Sequence, residues 1–168
     1  VCSSDLLAEL TKTTISRWDN GDPGFANVTP LEPELFRCPY LRMQNAANYD
    51  FSDEEASRLR DYLMKGGFLW LDDNWDPDFN YIRPNLMRIL PDARIVDLPL
   101  EHPMFSILYH ISALPQIPSL GAWQRTRQDS EIGPSRVHYY AVFDERNRLM
   151  VLVSMNSEDR KSTRLNSS

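Results

Sequence analysis

Three short apolar runs in this sequence are each followed by polar side chains that can bind ligands or transfer protons. Runs of this length are typical of buried strands, and in an open parallel sheet ligands bind outside the carboxyl ends of the strands. The side chains that follow the runs are therefore the candidate ligand-binding residues. They are Gln44, Asn45, Asp72, Asp73, Asn74, Trp75 and His102.

Two neighbouring carboxylates, Asp72 and Asp73, carry the most specific chemistry of this set. Carboxylate oxygens suit hard divalent cations, and a carboxylate whose pKa is raised by burial can act as a general base. An Asp after a buried strand also commonly caps a loop or the next helix. Both interpretations remain open: a metal or ligand site, or a structural cap. The sequence requires no cofactor, although a divalent cation would fit the first interpretation.

Among the histidines, only His102 follows a predicted strand closely. It could bind a metal ion or shuttle a proton, because its ordinary pKa lies near neutral pH. It also stands directly before Pro103, where a hydrogen-bonded loop anchor is an equally good interpretation. His110 and His138 lie outside the strand-end set, and we expect His138 on one face of a hairpin strand.

The elements that would position these residues begin with a well-marked helix. Ser52 and Glu55 have the spacing of a capping box, and Gly66 stands where a left-handed residue would end the helix. The continuous apolar run 68–71 then predicts a strand buried on both faces of a parallel sheet. In the next helical segment, Pro84 predicts either a kink or the start of a second short helix.

Shorter patterns complete the predicted order of elements. Strands are predicted at 40–43 and 94–98, and a β-hairpin at 137–143 and 149–153. Strands that alternate with helices predict an α/β fold with right-handed crossovers. We therefore expect a mainly parallel sheet that ends in an antiparallel C-terminal hairpin.

Composition limits the classes of partner. The chain has 168 residues, with 18 Lys and Arg against 24 Asp and Glu, and a net charge of −6. One domain with an ordinary hydrophobic core is expected at this length. The acidic balance and the scattered arginines argue against a nucleic acid partner. No apolar run approaches the roughly 20 residues of a membrane-spanning helix, so a small ligand or a protein partner remains.

Both ends of the chain resemble translated sequencing-adaptor sequence rather than protein. The residues concerned are 1–6 and 159–168. We therefore expect a single, truncated α/β domain over residues 7–158. Cys2 falls in the first of these segments, which leaves Cys38 as an isolated cysteine with no expected internal disulfide.

Several short motifs resemble one bacterial family. The most specific is Gly66-Gly67-Phe68-Leu69-Trp70-Leu71-Asp72-Asp73, and others are Phe36-Arg37-Cys38-Pro39-Tyr40-Leu41, Phe51-Ser52-Asp53-Glu54-Glu55, Ile89-Leu90-Pro91 and His102-Pro103-Met104-Phe105. On these residues the sequence resembles the DUF4159 family of domains of unknown function. It departs from the family at Cys38, where members usually carry Tyr, and at Gln44-Asn45, where many carry Gly-His.

The resemblance implies a class I glutamine amidotransferase-like fold, which is a Rossmann/flavodoxin-like three-layer sheet, and an exported or periplasmic protein. Amidotransferases use a cysteine on a strand-to-helix elbow. Cys38 instead precedes Pro39 and a predicted strand. The elbow is therefore absent, and the resemblance in fold does not imply glutaminase activity.

Three functional hypotheses follow. The leading one is a non-catalytic domain of an exported bacterial protein that binds a small ligand or partner at the strand-end cleft. The second is a hydrolase or transferase that uses Asp72 or Asp73 with His102, with or without a divalent metal. The third is a structural module of a larger membrane-associated protein, in which the cleft has no ligand.

Overall fold

The structure is a computed structural model that describes residues 17, 19–22, 24, 26–107, 109–114, 116, 118–131 and 136–155. Residues 1–16 and 156–168, which include both adaptor-like ends, lie outside the described residues. Among the described residues, no helix is both long and apolar enough to cross a lipid bilayer.

The described chain forms five strands and three α-helices, joined by loops and short 3-10 turns. The strands are β1 (Tyr40–Gln44), β2 (Phe68–Asp72), β3 (Ile95–Asp97), β4 (His138–Phe143) and β5 (Leu149–Met155), and the helices are α1 (Asp53–Met64), α2 (Phe79–Ile89) and α3 (Leu120–Thr126). The predicted α/β class is therefore confirmed.

The five strands form one mixed sheet in the order β1-β2-β5-β4-β3. The pairs β1–β2 and β2–β5 are parallel, whereas β4 is antiparallel to both β5 and β3. The antiparallel hairpin is confirmed, but its second strand lies in the centre of the sheet and separates β2 from β4. Since β4 alone runs in the opposite direction, the carboxyl ends of β1, β2, β5 and β3 share one edge, here called the carboxyl edge.

The helices α1 and α2 pack on the same face of this sheet. The crossovers from β1 to β2 and from β2 to β3 advance across the sheet in the same direction, so right-handed connections place both helices on one side. This helix face forms the main core. Its buried strand residues are Leu41, Leu69, Leu71, Val142, Val151, Val153 and Met155, and its buried helix residues are Ala56, Leu59, Tyr62, Leu63, Ile82, Leu86 and Ile89.

The opposite face of the sheet, here called the second face, is covered by a smaller hydrophobic cluster. Leu98 and Phe105, from the segment after β3, pack with Ala141 in a separate cluster. Phe68 and Trp70 of β2 also lie on this face and are only half-buried. The prediction that the run 68–71 is buried on both sides was therefore wrong, because only Leu69 and Leu71 reach the helix-covered core.

The helix α1 begins and ends as predicted. The Ser52 hydroxyl accepts a hydrogen bond from the Glu55 backbone amide at 3.2 Å, and the Glu55 carboxylate accepts one from the Ser52 amide at 2.9 Å. This capping box lowers the pKa of Glu55, mainly through the bond from the Ser52 backbone. Gly66 follows the helix with φ +107°, a conformation that glycine adopts without a Cβ penalty.

The segment around Pro84 is one helix, so the alternative of a second short helix that begins at Pro84 was wrong. Pro84 lies inside α2. A proline within a helix removes the hydrogen bond to the carbonyl four residues earlier, which here belongs to Asn80. Both residues are exposed, so water can replace the lost bond and the helix continues.

Cys38 also differs from expectation. It is buried, with 7% of its surface exposed, and it is disulfide-bonded. The expectation of an isolated cysteine was therefore wrong for this chain, whose other cysteine, Cys2, lies outside the described residues. Cys38 precedes β1, as the sequence indicated, and so stands at the end of that strand opposite the carboxyl edge.

Candidate functional site

Four side chains on the second face form a continuous polar network near the carboxyl edge. They belong to three adjacent parallel strands: Arg42 to β1, Trp70 and Asp72 to β2, and Ser154 to β5. Arg42 pairs in register with Trp70, and Trp70 pairs with Leu152. Because alternate residues of a strand share a face, Asp72 and Ser154 follow on the same side. This set is called the Asp72 network below.

Both carboxylate oxygens of Asp72 accept hydrogen bonds within this network. Nε of Arg42 donates to Oδ2 at 3.1 Å, and Nη2 of Arg42 donates to the same oxygen in an ion pair. The Ser154 hydroxyl donates to Oδ1 at 2.5 Å and accepts from Nε1 of Trp70 at 2.9 Å. The guanidinium also lies 5.1 Å from the centre of the Trp70 ring, within range of a cation–π contact.

Burial decides what this network can do. Asp72 is 1% exposed and Ser154 is 2% exposed. A carboxylate that is enclosed and already bonded on both oxygens has no position open for a metal ion or a substrate proton. Asp72 instead ties three strands together, and the loss of one partner from such a buried pair is costly.

The residues that follow Asp72 form a tight loop. Asp73 has φ +59°, a left-handed conformation that favours glycine and asparagine. The Asn74 side chain is fully buried, and its Oδ1 accepts from the Ala46 amide at 3.1 Å. The Trp75 amide donates to Oδ2 of Asp78 at 2.7 Å, which fixes the turn before α2. The contacts that hold this segment are thus made by Asn74 and Asp78, whereas the Asp72 carboxylate bonds the side chains of Arg42 and Ser154 rather than a cap.

No part of the described chain brings together three or more His, Cys, Asp or Glu side chains in a geometry that could hold a metal ion. The pair Asp72 and Asp73 was our candidate for a divalent cation. Of the two, Asp72 is engaged by Arg42 and Ser154. A cation site at this pair stays a prediction.

Gln44 and Asn45 lie beside the network at the end of β1. Gln44 is the last residue of the strand and pairs in register with Asp72. Its side-chain Nε2 is buried and has no hydrogen-bond partner within the described residues. Asn45 is exposed, has φ 52° and donates its backbone amide to the Asp72 carbonyl at 3.2 Å. Among the predicted ligand residues, Gln44 is thus the one whose side chain has a buried hydrogen-bond donor without a partner in the described part of the chain.

His102 lies away from Asp72. Its Nδ1 accepts from the Met104 amide at 3.3 Å, and its ring centre lies 5.9 Å from that of Phe143. Phe143 ends β4 four residues after Tyr139, which is paired with Ser154 at the carboxyl edge. Four residues of strand span about 13 Å, so the structure does not bring His102 to the Asp72 network. The contacts of His102 agree with the alternative that this residue anchors its own loop.

A second acid-centred pair at the carboxyl edge was missed by the sequence reasoning. Nδ1 of His138, the first residue of β4, lies 2.8 Å from Oδ2 of Asp97, the last residue of β3. The His138 ring is stacked on Tyr140, with the ring centres 5.5 Å apart. Burial of the phenol is the largest cause that raises the pKa of Tyr140 above its usual range, and the negative charges of Asp97 and Asp76 raise it further. The two paired residues are 41 positions apart, so no local pattern could reveal them.

Comparison with known proteins identifies one family. The sequence matches the DUF4159 family, described as a domain of unknown function, over residues 3–159. No curated protein matches the sequence. The predicted family resemblance is thereby confirmed over most of the chain.

Proposed function

This chain belongs to the DUF4159 family of domains of unknown function, and we propose that it is a non-catalytic domain that binds a small ligand at the carboxyl edge of its sheet. The ligand carries a hydrogen-bond acceptor, such as a carboxylate or an amide carbonyl. Gln44 contacts it directly, and Arg42 lies beside it on the second face. The observation that carries the proposal is the buried, unused donor of Gln44.

An unsatisfied buried donor costs free energy, commonly about 1–3 kcal/mol, and therefore needs an explanation in a folded domain. Gln44 lies next to Asp72 in the β1–β2 register, but Arg42 and Ser154 already occupy both oxygens of that carboxylate. A ligand acceptor that reaches this buried amide nitrogen would complete its hydrogen bonding. A ligand acceptor at this point restores the bond that burial removes.

The surroundings of Gln44 favour an anionic or strongly polar acceptor. The Arg42 side chain is 24% exposed, and its guanidinium is held in place by Asp72 and by the Trp70 ring. A cation fixed in this way needs little reordering when it contacts a ligand, which lowers the entropy cost of binding. Tyr40 stacks on Phe68 with ring centres 5.8 Å apart and extends an apolar surface beside the guanidinium.

Catalysis by the residues of our second hypothesis is less well supported. A general base must lie within hydrogen-bond reach of the substrate proton that it removes. Asp72 is enclosed and bonded on both oxygens, and His102 packs against Phe143 at the other end of β4. The proposed role of this edge is therefore recognition rather than chemistry.

We also propose that the fold is a variant of the Rossmann-like, class I glutamine amidotransferase-like architecture, in a bacterial exported protein. The parallel β1–β2–β5 core and the two crossover helices support the architectural part. The location of Cys38 before β1 supports a binding role without an amidotransferase nucleophile.

The test is an NMR titration of the isotope-labelled protein with acetate, succinate and acetamide. We expect saturable shifts of the Gln44 side-chain amide and of the Trp70 indole N–H, which is bonded to Ser154. Gln44→Leu should abolish these shifts. Because it removes an unsatisfied buried donor, it should also leave the free energy of unfolding unchanged or raise it by about 1 kcal/mol.

Gln124→Leu is the matched control, because Gln124 is exposed on α3. It should leave the shifts of Gln44 and Trp70 as they are in the unmodified protein. Shifts that survive Gln44→Leu, or the absence of a saturable shift with all three compounds, would contradict the proposal and favour a structural module.

A further inference from the structure

A second cleft lies on the helix face, at the outer edge of the sheet formed by β3. It has a volume of about 390 Å³. One wall is the side of α2 that carries residues at four-residue spacing, which share a helix face. The lining residues from α2, β3 and β4 are Phe79, Arg83, Met87, Ile95, Asp97 and Tyr140.

The apolar part of this cleft is built from stacked rings. Phe79 lies against Tyr140 with ring centres 3.9 Å apart and an angle of 18° between the planes. His138 stacks on Tyr140 as well, with an angle of 9°. Contacts with two neighbouring rings restrict the rotation of Tyr140, so the part of its ring that lines the cleft is fixed in position. Such a surface favours a flat ligand, which can contact it without loss of packing.

The charged part of the cleft has an excess of positive groups. Arg83 and Arg94 both line it and are exposed, and neither has an ion-pair partner among the described residues. Asp97 is the acidic lining residue, and its carboxylate is engaged by Nδ1 of His138 at 2.8 Å. Since the two lining arginines have no ion-pair partner within the described chain, they favour a ligand that carries a negative charge.

We propose that this cleft binds a small planar anion, an aromatic or heteroaromatic carboxylate. The flat part of the ligand packs along Phe79 and Tyr140, and the carboxylate contacts Arg83 and Arg94. A cleft of about 390 Å³ lies at the lower end of the usual range for small-molecule sites, which suits one ring or two fused rings.

The Tyr140 hydroxyl adds a donor to this site. An ordinary tyrosine is protonated at neutral pH, and burial and the nearby carboxylates of Asp97 and Asp76 raise the pKa of Tyr140 further. Asp97 and His138 act as positioning residues, because their contact joins β3 to β4 beside the ring. This site is separate from the Gln44 site, which lies on the second face.

The test is calorimetric titration with 2-naphthoate, with uncharged 2-naphthamide as the chemical control. We expect saturable binding of the carboxylate and at least tenfold weaker binding of the amide. Arg83→Gln and Arg94→Gln should each weaken the binding of 2-naphthoate about fivefold, the loss typical of one partly exposed charge contact. Both side chains are exposed, so neither change should disturb the fold.

Arg125→Gln is the control variant, because Arg125 is exposed on α3 and does not line the cleft. It should bind 2-naphthoate as the unmodified protein does, and so should Gln44→Leu. Equal binding of the amide, unchanged binding in both cleft variants, or no saturable binding of 2-naphthoate would each overturn the proposal. Loss of binding in Gln44→Leu would assign 2-naphthoate to the Gln44 site instead.

Discussion

Asp72 and Asp97 both end strands at the carboxyl edge, but they lie on opposite faces of the sheet and have opposite environments. Each is the last residue of its strand, and both strands end at the carboxyl edge. The Asp72 side chain is 2% exposed and is bonded to Arg42 and Ser154. The Asp97 side chain is 49% exposed and contacts the ring nitrogen of His138.

The difference follows from the place of each strand in the sheet. The strand β2 has β1 on one side and β5 on the other, so polar side chains from both neighbours can enclose Asp72. Within the described chain, β3 pairs with β4 alone, and Asp97 therefore keeps an open side. A carboxylate at the end of a central strand is thus enclosed and has a structural role, whereas a carboxylate at the end of an outer strand stays accessible.

The largest expected effect comes from removing each carboxylate in turn. Asp72→Ala should lower the free energy of unfolding by about 3 kcal/mol, because it leaves the Arg42 charge and the Ser154 hydroxyl without their partner. Asp97→Ala should lower it by less than about 1 kcal/mol, since its contact is largely exposed. Urea denaturation followed by circular dichroism measures both. Equal losses of stability in the two variants would contradict the distinction between an enclosed, structural Asp72 and an accessible Asp97.

A smaller effect should arise inside the Asp72 network. Ser154→Ala removes the donor to Asp72 and the acceptor for the Trp70 indole, which leaves two buried polar atoms unsatisfied. We expect a loss of about 2 kcal/mol in the free energy of unfolding. Ser57→Ala on the exposed side of α1 is the matched control and should change stability by less than about 0.5 kcal/mol. Similar values for the two serine variants would show that the hydrogen-bond chain contributes little.

The smallest expected effect is on the ionisation of Tyr140, which is the register partner of Asp97. Asp97→Asn should lower the pKa of Tyr140, because it removes one of the negative charges that raise it, while burial, the larger cause, remains. The pKa should therefore stay above the ordinary value for tyrosine. An NMR titration of tyrosine labelled at Cζ measures the change, and Asp144→Asn at the opposite end of β4 should leave the pKa of Tyr140 unaltered.

The sign of the linked stability change is fixed by the direction of this shift. A phenol whose pKa is raised on folding contributes stability that is fully present below the ordinary pKa and is lost as pH rises through the folded-state pKa. The Asp97→Asn variant should therefore lose less stability than the unmodified protein at strongly alkaline pH. A pKa of Tyr140 that does not move in this variant would show that Asp97 has no electrostatic effect there.

Local features of the fold were predictable because their signals lie within a few residues of one another. The capping box of Ser52 and Glu55 and the left-handed Gly66 could be identified in this way, and the structure contains both. The predicted strands and the final hairpin are also present. The alternative of a second helix at Pro84 was wrong, because the effect of a proline depends on whether the orphaned carbonyl, here that of Asn80, reaches water, which the sequence does not show.

The candidate site was predicted only in part, because its contacts join distant segments. Gln44 and Asp72 were both expected at strand ends, and they are indeed register partners. Arg42 and Ser154 were not expected, although they decide the environment of Asp72. His102 was placed at this site because it follows β3 closely, yet the chain carries it across the second face to Phe143.

The sequence by itself determined the family, the α/β class and both ends of α1, because these depend on local periodicity, caps and motifs. Only the tertiary structure decided that β5 lies between β2 and β4, and with it which carboxylate is enclosed and which stays open. Strand order is set by the packing of whole faces against the helices rather than by local preference. The same order encloses Asp72 between Arg42 and Ser154 and leaves Asp97 at the margin with His138.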